Sequence, residues 1–281
     1  MNKPDYIIIG AMKCGTSTLA AQLGAQAGCF MTEPKEPQYF SDDPVYAKGA
    51  DWYADLFAGA GPMDLKGEAS THYTKLPTYP ATVTRMTASL PDLKLVYMIR
   101  NPMARVVSHY IHAWSEGELS CPIDEALETV PELVDYGRYA MQIAPFIEAY
   151  GREAILLTSL EQVKANPGAE LKRVAAHIGL DGPVVWDDGS DRENVSSERV
   201  RRLPLQGLLV DNPVATVLRQ NLVPKSLRTW VRNRRKMKDR PELPKSAIPK
   251  LEAIFAKDRA ELAKIFPDSP AVDLCYPFVA S

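Results

Sequence analysis

No apolar run in this 281-residue chain approaches the length of a membrane span, about 20 residues. The first strand-like run follows Asp5 almost at once, leaving no room for a signal peptide, so a cytoplasmic protein is expected. Cysteine is sparse: Cys14, Cys29, Cys121 and Cys275 form no C-x-x-C pair and no metal-ligand spacing. That argues against a disulfide framework or a metal site and for reduced thiols. Neither sign of charge dominates, with 33 Lys and Arg against 35 Asp and Glu for a net charge of -2. A dedicated nucleic-acid partner is therefore not expected, although a local basic pocket is compatible with this balance. His109, His112 and His177 lack the neighbours of a metal cluster and read as packing or surface residues. Repeats and low-complexity tracts are missing too, so residues 1–281 are expected to form one domain. A homo-oligomer stays open.

What the chain does contain begins at Asp5 with DYIIIGAMKCGTSTLAAQL. Tyr6 to Ile9 form a β-branched run suited to a strand buried on both faces. Gly10 interrupts it, and Leu19, Ala20, Leu23 and Ala27 then recur at helical spacing. A strand that passes through a glycine loop into a helix makes a phosphate cradle from free first-turn N–H groups and the positive helix end. The nucleoside-triphosphate version is G-x-x-x-x-G-K-[ST]. Here Gly10 and Gly15 keep that spacing, but Thr16 stands where the lysine belongs and Lys13 lies inside the loop.

A second apolar run, Leu95 to Ile99, ends in Arg100-Asn101-Pro102 and enters a helix through Trp114 whose apolar face includes Val106, Val107, Tyr110 and Ile111. Asn101 reads as the N-cap and Pro102 as the first helical residue. Arg100 thus stands at a strand's carboxyl end, where open α/β sheets bind ligands. A nucleoside triphosphatase would be expected to place an aspartate there for magnesium. An arginine instead forks two N–H donors onto a phosphate.

These two motifs, in this order, resemble those of sulfotransferases that use 3′-phosphoadenosine 5′-phosphosulfate (PAPS) and release adenosine 3′,5′-bisphosphate (PAP). Three further stretches resemble the heparan sulfate N- and O-sulfotransferase branch: Lys35-Glu36-Pro37-Gln38-Tyr39-Phe40, Lys48-Gly49-Ala50-Asp51-Trp52-Tyr53 and Gly67-Glu68-Ala69-Ser70-Thr71-His72-Tyr73. The resemblance implies an α/β fold, a P-loop-like three-layer sandwich with a central, mostly parallel sheet flanked by helices. It implies PAPS as co-substrate, no metal, and a small-molecule, lipid or glycan acceptor. Lys13, Cys14, Gly15, Thr16, Ser17 and Thr18 would hold the 5′-phosphosulfate, and Arg100 and Ser108 the 3′-phosphate.

Glu36, on a backbone stiffened by Pro34 and Pro37, would be the general base. His72 is its rival, because phenol- and steroid-type relatives use a histidine on a comparable strand. Tyr139 would lie near the nucleotide base or in the core, and Arg199 and Arg201 would close over the nucleotide. Ala69 replaces the family lysine, and Gln38 the histidine that often follows the glutamate by two places, which leaves open whether the same polysaccharide is the acceptor. A basic run, 225–240, reads by default as a solvated face, with an acidic acceptor or a membrane surface as the alternative partners. Ser246 is expected to cap the last helix. The competing readings are a small-molecule kinase with an altered P-loop and an inactive nucleotide-binding protein.

Overall fold

The computed structural model describes residues 2–189, 237 and 239–279. Five strands form one sheet: β1 (Tyr6–Gly10), β2 (Cys29–Met31), β3 (Leu65–Ala69), β4 (Lys94–Ile99) and β5 (Ile155–Ser159). Their order is β2-β3-β1-β4-β5, and every described pair is parallel. β1 is central, with Tyr6 opposite Gly67 on one side and Lys94 on the other. Its residues are fully buried, as a strand covered on both faces must be. Burying each of Ile7, Ile8 and Ile9 stabilises the fold by roughly 1.5–3 kcal/mol.

The principal helices are α1 (Thr16–Gly24), α2 (Pro102–Glu116), α3 (Tyr139–Tyr150), α4 (Leu160–Ala165), α5 (Pro167–Ile178) and α6 (Ile248–Ile265). α1 and α5 pack on each other and on the sheet. The local start signals hold: the Asn101 side chain accepts from the Ala104 N–H at 3.1 Å, and that of Asn166 from the Ala169 N–H at 3.1 Å. Pro102 and Pro167 then open α2 and α5. The last long helix departs from expectation, since α6 starts after Ala247 with no side-chain cap, and Ser246 falls one residue too early. Among the described residues no helix is long and apolar enough to cross a membrane.

The ends of β1 and β4 lie side by side because β4 neighbours β1. The loops that leave them open on the same edge of the sheet, where parallel sheets place ligands.

Candidate active site

The first wall of the site is the loop between β1 and α1. Gly10, at φ +150°, lies so close to the turn after β3 that a Cβ there would sit 1.9 Å from Thr74 Oγ1. Only glycine fits. Gly15, at φ +94°, precedes α1, and no side chain caps that helix. The first-turn N–H groups of Thr16 to Thr18 therefore face the cleft without a side-chain acceptor. Lys13 stands between the glycines in a left-handed conformation, φ 67°.

The second wall is the end of β4 and the start of α2. Arg100 donates from Nη1 to the Lys13 carbonyl at 3.1 Å, tying the two loops together. Its Nε is buried and has no hydrogen-bond partner among the described residues. A guanidinium half used by the backbone and half unsatisfied is placed to take an anion. Ser108, two turns into α2, lies in the same cleft as Arg100.

The third wall is the loop that carries Glu36, and a buried carboxylate fixes it. Glu68 on β3 is fully buried and accepts from the hydroxyls of Tyr53, Ser70 (2.6 Å) and Tyr73 (2.7 Å). Burial raises its pKa, and the three hydroxyls act in the opposite direction. Ser70 Oγ also accepts from the Gln38 N–H at 3.1 Å, while the Glu36 N–H reaches the Ala69 carbonyl at 3.1 Å. Tyr39 stacks on Tyr53, with ring centroids 4.9 Å from Phe40 and 4.4 Å from Tyr53. The three stretches that looked separate in the sequence are thus one hydrogen-bonded and aromatic unit.

Ser70→Ala tests this unit. It leaves the Gln38 N–H without its acceptor and Glu68 with one donor fewer. The expected loss is about 1–3 kcal/mol of stability, read as a lower denaturant midpoint. An unchanged midpoint would mean the loop is held elsewhere.

Glu36 itself adopts φ 59°, and Gln38 φ 58°. Together with Lys13 they are the non-glycine residues of positive φ among the described residues, and all three line one cleft of about 690 Å³. Strained backbone gathered at one cavity marks it as the functional one. The Glu36 carboxylate accepts from Lys35 Nζ at 2.7 Å and Thr71 Oγ1 at 3.0 Å. Burial opposes its ionisation, but Lys35, the Thr71 hydroxyl and Lys75 outweigh it and hold the carboxyl below its ordinary range. Glu36 is ionised at neutral pH and able to receive a proton.

His72 follows β3 in a short 3₁₀ turn, Thr71–Thr74, rather than on the strand. Its ring stacks on Tyr79 at 4.9 Å, and its buried Nδ1 has no partner among the described residues. Burial, reinforced by the charge of Lys75, lowers its pKa to about 4, so the imidazole is neutral. Glu36 and His72 both line the cleft, and either can take a proton.

Two of the expected binding residues lie beneath the cleft. Tyr139 is fully buried: its hydroxyl donates to the Arg100 carbonyl at 2.9 Å and lies 3.5 Å from Cys14 Sγ. It braces the two loops from beneath, the core position that was one of its two expected places. Cys14 is also fully buried, its N–H is given to the Ala11 carbonyl, and burial pushes its thiol up to about 11. Its contacts within the protein are to the Met12 and Ala11 carbonyls and the Tyr139 hydroxyl, which help to fix the loop's shape. Arg199 and Arg201 lie outside the described residues, as does most of the 225–240 run, although Arg240 reaches the cleft.

The fold also brings here Thr71, Lys75 and Lys164, which the sequence left unassigned, His112, which it read as a packing or surface residue, and Arg240 from the basic run. Lys13, Lys75, Arg100, Lys164 and Arg240 face a single carboxylate, Glu36, in a chain whose net charge is -2. Among the described residues no group of His, Cys, Asp and Glu is arranged to hold a metal ion.

A family model described as "Sulfotransferase domain" matches residues 3–201. The chain belongs to the sulfotransferase family. Among curated sulfotransferases, mouse heparan sulfate glucosamine 3-O-sulfotransferase 3B1 is 30% identical over 190 residues, which are 63% of this chain and 46% of the relative. The chain thus spans less than half the length of that relative. Among solved structures, a sulfotransferase from Alicyclobacillus acidocaldarius superposes with TM-score 0.69 at 24% identity, covering 97% of this chain and 99% of that one. A mouse sulfotransferase complexed with PAP gives TM-score 0.50 at 16% identity over 100% of this chain and 91% of the other. The α/β sulfotransferase fold, a central parallel sheet flanked by helices, follows from these likenesses.

Proposed function

We propose that this sulfotransferase moves the sulfuryl group of PAPS to a hydroxyl or amine of a glycan, lipid or small-molecule acceptor. The observation that carries the reading is the pair of anion grips at adjacent strand ends, the Gly10–Thr18 loop and Arg100 with Ser108, opening into one cationic cleft opposite Glu36. A nucleotide phosphorylated at both ends of its ribose spans two such grips. Binding of PAP by a family member is consistent with this.

Glu36 takes the proton of the acceptor as its oxygen or nitrogen forms the bond to sulfur. The electron pair of the breaking S–O bond passes to the nucleotide's 5′-phosphate, where Lys13 and the first-turn N–H groups of α1 stabilise the growing charge. Positioning and electrostatics supply the acceleration, as in phosphoryl transfer. The glycan acceptors named for curated relatives make an acidic or hydroxyl-rich sugar the first class to screen.

Titration calorimetry with PAP, against ATP and magnesium, tests the donor assignment, and transfer of labelled sulfate into cell extracts then finds the acceptor. Preference for ATP with magnesium would favour a kinase; PAP binding without transfer to any acceptor would favour an inactive nucleotide binder. Arg100→Met is expected to weaken PAP binding by about 10–150-fold, the effect of hydrogen bonds to a charged group, with a smaller effect on adenosine 5′-phosphate. Equal losses for both ligands would remove the 3′-phosphate role.

A further inference from the structure

Lys75 is only 8% exposed and lines the cleft with Lys13 and Glu36. Among the described residues its ammonium makes no hydrogen bond and no ion pair; it lies over the face of the Tyr136 ring, 5.8 Å from the centroid. The stem of Lys75 is buried while its ammonium opens into the cleft, with three donors that no protein acceptor among the described residues takes up.

The backbone determines where that anion would be. Thr74, the preceding residue, donates from Oγ1 to the Ile9 carbonyl at 3.0 Å and fills the space beside Gly10. Lys75 therefore leaves the chain next to the root of the phosphate loop. Lys75 and Lys13 also act on the same buried ring, that of His109, whose pKa is driven down first by burial, then by Arg105 and Lys75, with His112 and Lys13 adding to the effect. Glu36, already held by Lys35 and Thr71, lines the same cleft. The group that enters between the loop and Glu36 is the one being transferred.

We propose that Lys75 is a further catalytic residue, whose ammonium donates hydrogen bonds to the sulfuryl oxygens as sulfur passes from the nucleotide to the acceptor. The proposal rests on PAPS as the donor. Lys75 keeps its protons throughout; the acceptor's proton goes to Glu36, and the bond from sulfur to the 5′-phosphate oxygen breaks as the new bond forms. The charged groups around Lys75 are Glu36 from the loop before β3, Arg105 from α2, Glu118 beyond α2 and the neutral rings of His72 and His109. Burial lowers its pKa to about 8, with Glu36 and Glu118 opposing the shift and Arg105 adding to it.

PAPS and PAP differ only in the sulfuryl group, so their affinities, measured by equilibrium dialysis without acceptor, isolate this contact. Lys75→Met is expected to weaken PAPS binding about tenfold or more while PAP binding stays within about twofold. In the wild-type protein the ratio of PAPS to PAP affinity should fall between pH 7 and 9 as Lys75 loses its proton. Lys75→Arg should hold that ratio level, because a guanidinium stays charged. An unchanged ratio in Lys75→Met overturns the proposal. If that variant does not fold, a ratio in the wild type that is level from pH 7 to 9 does so. A wild-type protein that bound PAP but showed no pH dependence would reject the Lys75 role alone; one that bound neither ligand would reject the donor assignment and the Lys75 role with it.

Discussion

Glu36→Gln is expected to lower turnover by roughly 10²–10⁴-fold, the range for loss of a general base, and to leave PAP affinity nearly unchanged. The amide is the same size and can still meet Thr71, which donates to Glu36 Oε2 at 3.0 Å, so the loop should keep its path. What it cannot do is accept the acceptor's proton. The measurement is labelled-sulfate transfer to the acceptor found in extracts, beside calorimetry with PAP. His72→Asn provides the control. If His72 is the base, the large loss moves to that variant and Glu36→Gln retains most activity.

A pH profile does not separate these two residues. Glu36 is held below the ordinary carboxylate range and His72 titrates at about 4, so either would produce a fall in turnover only on the acid side of neutrality. In both cases the working form is the unprotonated one, present above the pKa and lost as pH falls through it. Substitution therefore decides between them where titration does not.

The second large effect belongs to Lys13. Lys13→Ala is expected to cost about 3 kcal/mol of transition-state stabilisation, on the order of 10²–10³ in turnover. The backbone is spared as a cause, because Arg100 holds the Lys13 carbonyl, which alanine also has. PAP affinity should fall far less than turnover, since the ammonium is needed most when the bridging oxygen takes up charge. Turnover that survived this substitution would remove the leaving-group role from Lys13.

The sequence displayed the two strand-to-helix segments of the site well because their signals are local. Glycine spacing, an Asn-Pro helix start and short β-branched runs are decided within a few residues, and the structure has each where it was expected. β3 was harder, since Gly67-Glu68 does not look like a buried strand. Its glutamate is tolerated at full burial because the hydroxyls of Tyr53, Ser70 and Tyr73 converge on it, and Tyr53 comes from a segment 15 residues away. Tyr139 stayed between two places because its partners, Cys14 and Arg100, are far away in the chain. Nothing in the neighbours of Lys75 distinguishes it from a surface lysine. Its role depends on how deeply the turn after β3 is packed, and no local pattern encodes that.

Three ordinary L-residues in mirror-image backbone, Lys13, Glu36 and Gln38, each hold roughly 1–3 kcal/mol that glycine would release. A lineage selected for heat resistance alone would drift toward glycine at these positions. At 13 and 36 that drift would erase an ammonium and a carboxylate from the cleft, so under the proposed mechanism the gain in melting temperature would come with lost turnover. Position 38 is different: what the fold takes from Gln38 is a backbone N–H, which glycine also has, and there durability and activity need not conflict.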